Sequence, residues 1–318
     1  MTTPDLGARN IGSPALWVGF LAGVLILLAI DLRVTARRDK LSGFREAMWW
    51  SVFWIFISLA FGSWVWAYYG GEQGLEFFAG YLLEKSLSVD NLFVFVLLFR
   101  SFAIPPAHQH RVLFWGVLGA LVLRGALILA GVALVHHYRW ILAIFGAVLI
   151  YTAIKILFHE DEAERVPTDS PVVRWVARHV PMIGSIEGPQ FFKRIDGKLF
   201  ATPLLLALVA AETTDLVFAL DSIPAVFAVT DDSFLVFSSN ICALLGLRAL
   251  YFVVRGALAK LRYLKPGLAA ILTFVGLKML LFKWVSLPTG TSLLIIAGIL
   301  GIALLVSWLK PAPVDTEP

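Results

Sequence analysis

"EKSLSVDNLFVF", residues 84–95, places Glu84, Lys85, Asp90 and Asn91 inside a run that is otherwise apolar and long enough to cross a bilayer. A charged side chain at mid-bilayer costs about 2.5–3.5 kcal/mol on insertion scales, so a span holding three charges and an amide needs a reason. The surrounding composition identifies the solvent. Of 318 residues, 59% are hydrophobic and 15% charged, with a mean hydropathy of +0.83, whereas a soluble domain is nearer half apolar and a quarter charged. A hydrocarbon core of roughly 30 Å takes about 20 apolar residues per helix. Runs of that kind fall at 14–30, 47–69, 75–99, 112–135, 140–158, 199–229, 234–254, 266–284 and 291–309. The sequence therefore predicts an all-α polytopic membrane protein with about nine transmembrane helices and no large soluble domain. The lipid bilayer is its expected surroundings. The net charge of +4 is read as topology, with no nucleic-acid partner. The single cysteine, Cys242, rules out an internal disulfide or a thiolate metal cluster within one chain.

Lysine and arginine asymmetry gives the orientation. The segment 31–46 carries five bases (Arg33, Arg37, Arg38, Lys40, Arg45), 159–198 carries six and 255–265 carries four, whereas "YYGGEQG" and "TDDS" carry none. This alternation predicts an outer N-terminus and a cytoplasmic C-terminus. The first apolar run is followed by "DLRVTARRDK", a stop-transfer pattern and not a cleavable signal. Within 159–198, "PVVRWVARHV" fits either a solvated loop or a short interfacial helix, and the tail "KPAPVDTEP" is expected to be disordered.

The polar segments recur. Glu84 and Asp90 are six apart, as are Asp215 and Asp221, at an offset of 131. "VLRGAL" around Arg124 matches "GLRALY" around Arg248 at offset 124, and "AVLIYTAIKILF" matches "AILTFVGLKMLL", aligning Lys155 with Lys278 at offset 123. Spans three to five thus match spans six to eight in order. Three helices is an odd number, so the second copy enters from the opposite side. Such an inverted repeat is the build of many transporters, whose sites lie mid-membrane at the repeat interface. The predicted organisation is an N-terminal helix pair at 1–70, a first three-helix repeat at 71–158, a cytoplasmic loop at 159–198, an inverted repeat at 199–285, and a last helix with its tail at 286–318.

Glu84 lies about nine residues into its span and Asp90 about fifteen, or roughly 13 and 22 Å deep. "AETTDLVFALDSIPAVF" brings Glu212, Asp215 and Asp221 into the same zone. Five carboxylates there must be paired, protonated or liganded, because their insertion costs sum to about 15 kcal/mol. Glu212 and Asp215, three apart, share a helix face. Asp221 joins them only if Pro224 breaks the helix, as in transporters whose discontinuous helices line the cavity. With Asn91 and Ser222 beside two of the aspartates, the donor set is oxygen only, which suits a hard divalent cation such as Mn²⁺, Mg²⁺ or Ca²⁺. The same carboxylates, in low dielectric, can carry protons. Lys85, Arg124, Arg248 and Lys278 are the expected charge partners. A purely structural ion-pair network is the plain alternative, but buried pairs seldom repay their desolvation.

"EKSLSVDNLFVF", "AETTDLVFALDSIPAVFAVT", "IYTAIKILF" and "DGKLFATPL" resemble the signature segments of the TerC family, and the length is closest to that of its Alx branch. The resemblance implies a bacterial inner-membrane protein of the LysE-type transporter superfamily, linked to manganese efflux. It also implies that the important acids are Glu84, Asp90, Glu212, Asp215 and Asp221, with Asn91 and Ser222 belonging to the motifs. The expected function is a secondary transporter exporting divalent cations, most readily Mn²⁺, with no prosthetic group and no enzymatic activity. Two other classes stand beside it. One is a membrane scaffold assisting metallation or insertion of exported proteins. The other is an intramembrane aspartyl protease, disfavoured because neither Asp215 nor Asp221 follows the Gly-x-Gly pattern.

Overall fold

Polar and apolar side chains are inverted relative to a water-soluble bundle. Arg124 heads the largest fully buried side chains, and Glu84 and Asn240 are also fully buried, while Phe158, Trp308 and Leu294 are 77%, 75% and 74% exposed. Only a hydrocarbon solvent makes that distribution favourable. The computed structural model describes residues 11–36, 44–138, 140–158, 170–184, 188–257, 263–281 and 287–309, and the Asp90 side chain lies outside that description.

The chain runs α1 (Pro14–Ala36), α2 (Phe44–Tyr69), α3 (Gly71–Ser101), α4 (Pro106–His137), α5 (Ile141–Phe158), α6 (Pro171–His179), β1 (Phe192–Ile195), β2 (Lys198–Ala201), α7 (Pro203–Phe227), α8 (Ser233–Leu244), α9 (Leu247–Ala257), α10 (Leu264–Leu280) and α11 (Thr289–Leu309). Six of these helices are long and apolar enough to span a membrane, and the pair α8 and α9, bent by 45°, makes a seventh. The charge-laden α3, 31 residues long, and α10, at 17 residues, fall outside that group, so length and apolarity alone mark six or seven spans where about nine were expected.

Among the described residues one element departs from the all-α expectation. β1 and β2 form an antiparallel hairpin pairing Ile195 with Lys198. Its two-residue turn is Asp196-Gly197, both with positive φ (49° and 77°), the geometry whose twist suits a tight hairpin. The segment "PVVRWVARHV" does form a short helix, α6, which packs on α7 through buried Val173. The acidic stretch 159–169 lies outside the described residues.

The expected helix break is displaced. α3 and α7 run without interruption, and Pro224 sits inside the last turn of α7. There it removes one hydrogen bond just before the helix would end, so nothing kinks. The break comes instead between α8 and α9, where Gly246 takes φ +77° and lies so close to Trp54 that an added Cβ would be 2.5 Å from that residue's own Cβ. α5 and α10, the most closely packed pair, cross at facing glycines. A Cβ on Gly146 would sit 2.8 Å from the Gly276 carbonyl oxygen, and the converse holds. Small residues that let backbones touch are the usual means of helix association in lipid.

Gly246→Ala is expected to lower the melting temperature of the purified chain by about 5 °C or more, through backbone strain of roughly 1–3 kcal/mol and the Trp54 collision. Gly19→Ala, whose Cβ meets nothing within 4 Å, is the control. Equal melting curves for the two variants would refute this account of the break.

Candidate functional site

The centre of the bundle is built around one guanidinium. Arg124 on α4 donates through Nε to Asp215 Oδ2 at 3.0 Å and through a terminal nitrogen to Asp215 Oδ1 at 2.8 Å, a bidentate fork. Its other terminal nitrogen is paired with Glu84 Oε1 of α3 and lies 3.4 Å from Asn240 Oδ1 of α8. Ser222, two turns beyond Asp215 on α7, donates its hydroxyl to the same Glu84 oxygen at 3.2 Å. Four helices therefore meet at one cation. With both carboxylates ionised, the trio carries one net negative charge.

Several buried polar atoms around it have no hydrogen-bond partner: Glu84 Oε2, Ser88 Oγ, Asn240 Nδ2 and Glu212 Oε2. Ser88 lies one turn beyond Glu84, on the same face of α3. An unsatisfied buried polar atom costs about 1–3 kcal/mol, so these atoms are the most expensive feature of the charged centre.

The other acids are distributed along the same helix. Glu212, one turn before Asp215, presses its carboxylate against Gly119 of α4, where any side chain would collide with it. Asp221 faces the opposite direction and accepts a hydrogen bond from Thr152 Oγ1 of α5 at 3.1 Å, with Lys155 close enough to attract it. Because α7 stays helical, residues 215 and 221 are about 240° apart round the axis. The convergence expected of all five acids is therefore partial. Among the described residues no three His, Cys, Asp or Glu side chains form a metal cage. Asn91 is buried in α3, and Asp90 belongs to the same helix by its backbone.

Of the expected charge partners, Arg124 is the one whose pairing with acids of the predicted set is seen among the described residues. Lys85 Nζ donates to the carbonyls of Ala243 and Leu245 at 3.1 and 3.5 Å, capping the C-terminal end of α8 at its break. That is a favourable place for an ammonium, since a helix C-terminus carries partial negative charge. Arg248 pairs with Asp31 of α1 at 2.6 Å, and Lys278 donates to Ser292 of α11 at 2.9 Å. Sequence reasoning overlooked Asn240, Thr152, Gly119 and Asp31. A buried asparagine in "FSSNICALL" was the available signal for the first. The others owe their roles to helix facing, which a linear pattern does not carry.

A narrow crevice bounded by Phe95, Leu113, Gly116, Val117, Ala211 and Leu247 reaches Asp215, with room for about 10 Å³. That is barely a single water. At Asp215 the crevice is too narrow for a hydrated ion.

The class so defined is a multi-pass helical membrane protein with a buried, charged centre. The chain belongs to the integral membrane protein TerC family, whose model matches residues 69–313. It is 48% identical over 308 residues, 97% of this chain and 96% of the relative, to "Uncharacterized membrane protein STKORF319" of Myxococcus xanthus. It is also 44% and 45% identical to proteins named "Putative membrane-bound redox modulator Alx" from Salmonella typhi and Escherichia coli strain K12, covering 95% of this chain and 97% of each relative. No solved structure matches.

Arg124→Met leaves two carboxylates buried without their cation and is expected to destabilise the protein by about 3–5 kcal/mol. Thr152→Val, which removes one neutral donor from the half-buried Asp221, is expected to cost about 1 kcal/mol. Chemical unfolding of both in the same detergent tests the ranking, and the reverse order would contradict the placement of the two acids.

Proposed function

We propose that this protein is a secondary transporter, not an enzyme, that exports divalent metal cations from the cytoplasm across a bacterial inner membrane, with Mn²⁺ the expected cargo. The observation that carries the proposal is the set of unpartnered buried oxygens around Glu84 and Asp215, combined with acids spaced along α7, Glu212 and Asp215 on one face and Asp221 on the far side. Glu212, Asp215 and Asp221 follow one another at about 4.5 and 9 Å of helix rise. A hard cation moving between oxygen donors needs such steps and no resident cofactor.

Helix packing supports the inverted repeat and a bundle of nine spans. If α3, α4 and α5 correspond to α7, the bent pair α8 and α9, and α10, then α3 packing on α8 mirrors α7 packing on α4. Likewise α5 on α7 mirrors α10 on α3, and both pairs of contacts are present. Arg124 would then bridge Glu84 and Asp215, the two equivalent acids of the repeats. With the N-terminus outside, every residue lining the Asp215 crevice lies on its cytoplasmic side, along with Glu212 and the Asp90 position of α3, while Asp221 lies on the outer side. That order suits export by rocking one repeat against the other, with protons returning on the same carboxylates.

The relatives' printed name speaks of redox modulation. With Cys242, buried in α8, as the only thiol, we read that effect as following from movement of a redox-active metal. A membrane scaffold for metallation or insertion is the competing function. It draws on the fact that the fork ties four helices together, but it gives no role to the unpartnered oxygens.

Mn²⁺ flux into proteoliposomes tests the proposal. Wild type is expected to move Mn²⁺, faster with an opposing proton gradient. Folded Glu212→Gln and Asp221→Asn variants are expected to lose at least about tenfold in rate. Equal flux in all three, or none in wild type, would favour the scaffold.

A further inference from the structure

If the transport function holds, the occupant of its central site in the resting protein is a side chain. We propose that Arg124 is a tethered counter-cation that fills the cargo position between Glu84 and Asp215 and sets a valence threshold for entry. Displacing it takes an ion that brings more charge than a guanidinium.

The geometry shows how such a threshold works. The guanidinium sits where the two carboxylates converge, forked onto Asp215 and paired with Glu84. Both acids and the arginine are buried, with Glu84 and Arg124 at 0% exposure. The fit is nevertheless incomplete. Glu84 Oε2, Ser88 Oγ and Asn240 Nδ2 remain unpartnered with the arginine in place, although a planar fork is well suited to carboxylates. Glu84 Oε2 and Ser88 Oγ are thus acceptors that the guanidinium leaves unused, while Asn240 Nδ2 is an idle donor, and with both carboxylates ionised the trio stays net negative. A sodium or potassium ion replacing Arg124 would leave that charge unchanged, lose the bidentate hydrogen bonds and still have to shed its water. A divalent cation would neutralise the two carboxylates and engage the idle Glu84 oxygen. Discrimination by valence then comes from a built-in competitor, a form of specificity by penalising the wrong ligand. Glu212 gives the displaced guanidinium somewhere to go. It lies one turn before Asp215 on the same face of α7, and its Oε2 also has no partner.

Full-length wild type, Arg124→Gln and Arg124→Lys, reconstituted in nanodiscs, are titrated with MnCl₂ by calorimetry, with and without excess NaCl at constant ionic strength. Removing the competitor is expected to tighten Mn²⁺ binding by about tenfold or more, within the usual range of coupling between two ligands of one site. It should also let Na⁺ compete where it does not in wild type. Arg124→Lys keeps the charge but cannot form the fork, so it should fall between the two. It carries the test if the glutamine variant is not recovered folded. Mn²⁺ binding that is unchanged or weaker in both variants, with selectivity intact, would overturn the counter-cation role while leaving divalent transport standing. Failure of wild type and both variants to bind Mn²⁺ would overturn the cargo assignment, and this inference with it.

Discussion

Burying a guanidinium together with two carboxylates commits the helices that carry them to one another, because none of the three ions tolerates the interior alone. In this protein the commitment is made by α3, α4, α7 and α8, through Glu84, Arg124, Asp215 and Asn240. In hydrocarbon there is little hydrophobic drive to bring helices together, so a desolvated ion pair and close backbone packing have to supply the specificity. The glycine crossing of α5 with α10 and the bend at Gly246 are the packing counterparts of the central fork. They place the remaining helices where the charged centre can close.

Arg124 and Arg248, the two arginines that the proposed repeat would pair, are used differently. Arg124 lies on the acids shared between the halves. Arg248 is drawn out to Asp31 on α1, a helix that belongs to neither half. The same divergence separates Lys155, near Asp221, from Lys278, which holds Ser292. Here α1 and α11 each take up one of these cations, Arg248 through Asp31 and Lys278 through Ser292.

Much of the architecture was legible from the sequence because lipid imposes a simple rule. Apolar runs of the right length marked the helices, and charges placed where water is absent marked the centre. That is how Glu84, Arg124, Asp215 and Asp221 stood out. What resisted reading were properties of helix rotation and local turn geometry. Pro224 looked like the break, but a proline in a final turn interrupts nothing. Gly246, in the unremarkable "LLGLR", takes the positive φ instead. Asp31 read as part of a stop-transfer segment because its partner lies 217 residues away. The Asp-Gly turn of the hairpin was a recognisable signal, overshadowed by an otherwise helical pattern. Asp221 was expected to join Asp215 only through a break at Pro224, and with α7 continuous the 3.6-residue period sends the two to different neighbours.

The central claim is that Glu84 and Asp215 are the cargo ligands, now held by an arginine. Its most direct test is an anomalous-scattering map from crystals of the full chain grown with Mn²⁺. The account predicts a manganese peak between the Glu84 and Asp215 carboxylates, with Arg124 withdrawn toward Glu212. A manganese peak elsewhere in the bundle, with the Arg124 fork intact on both acids, would contradict it.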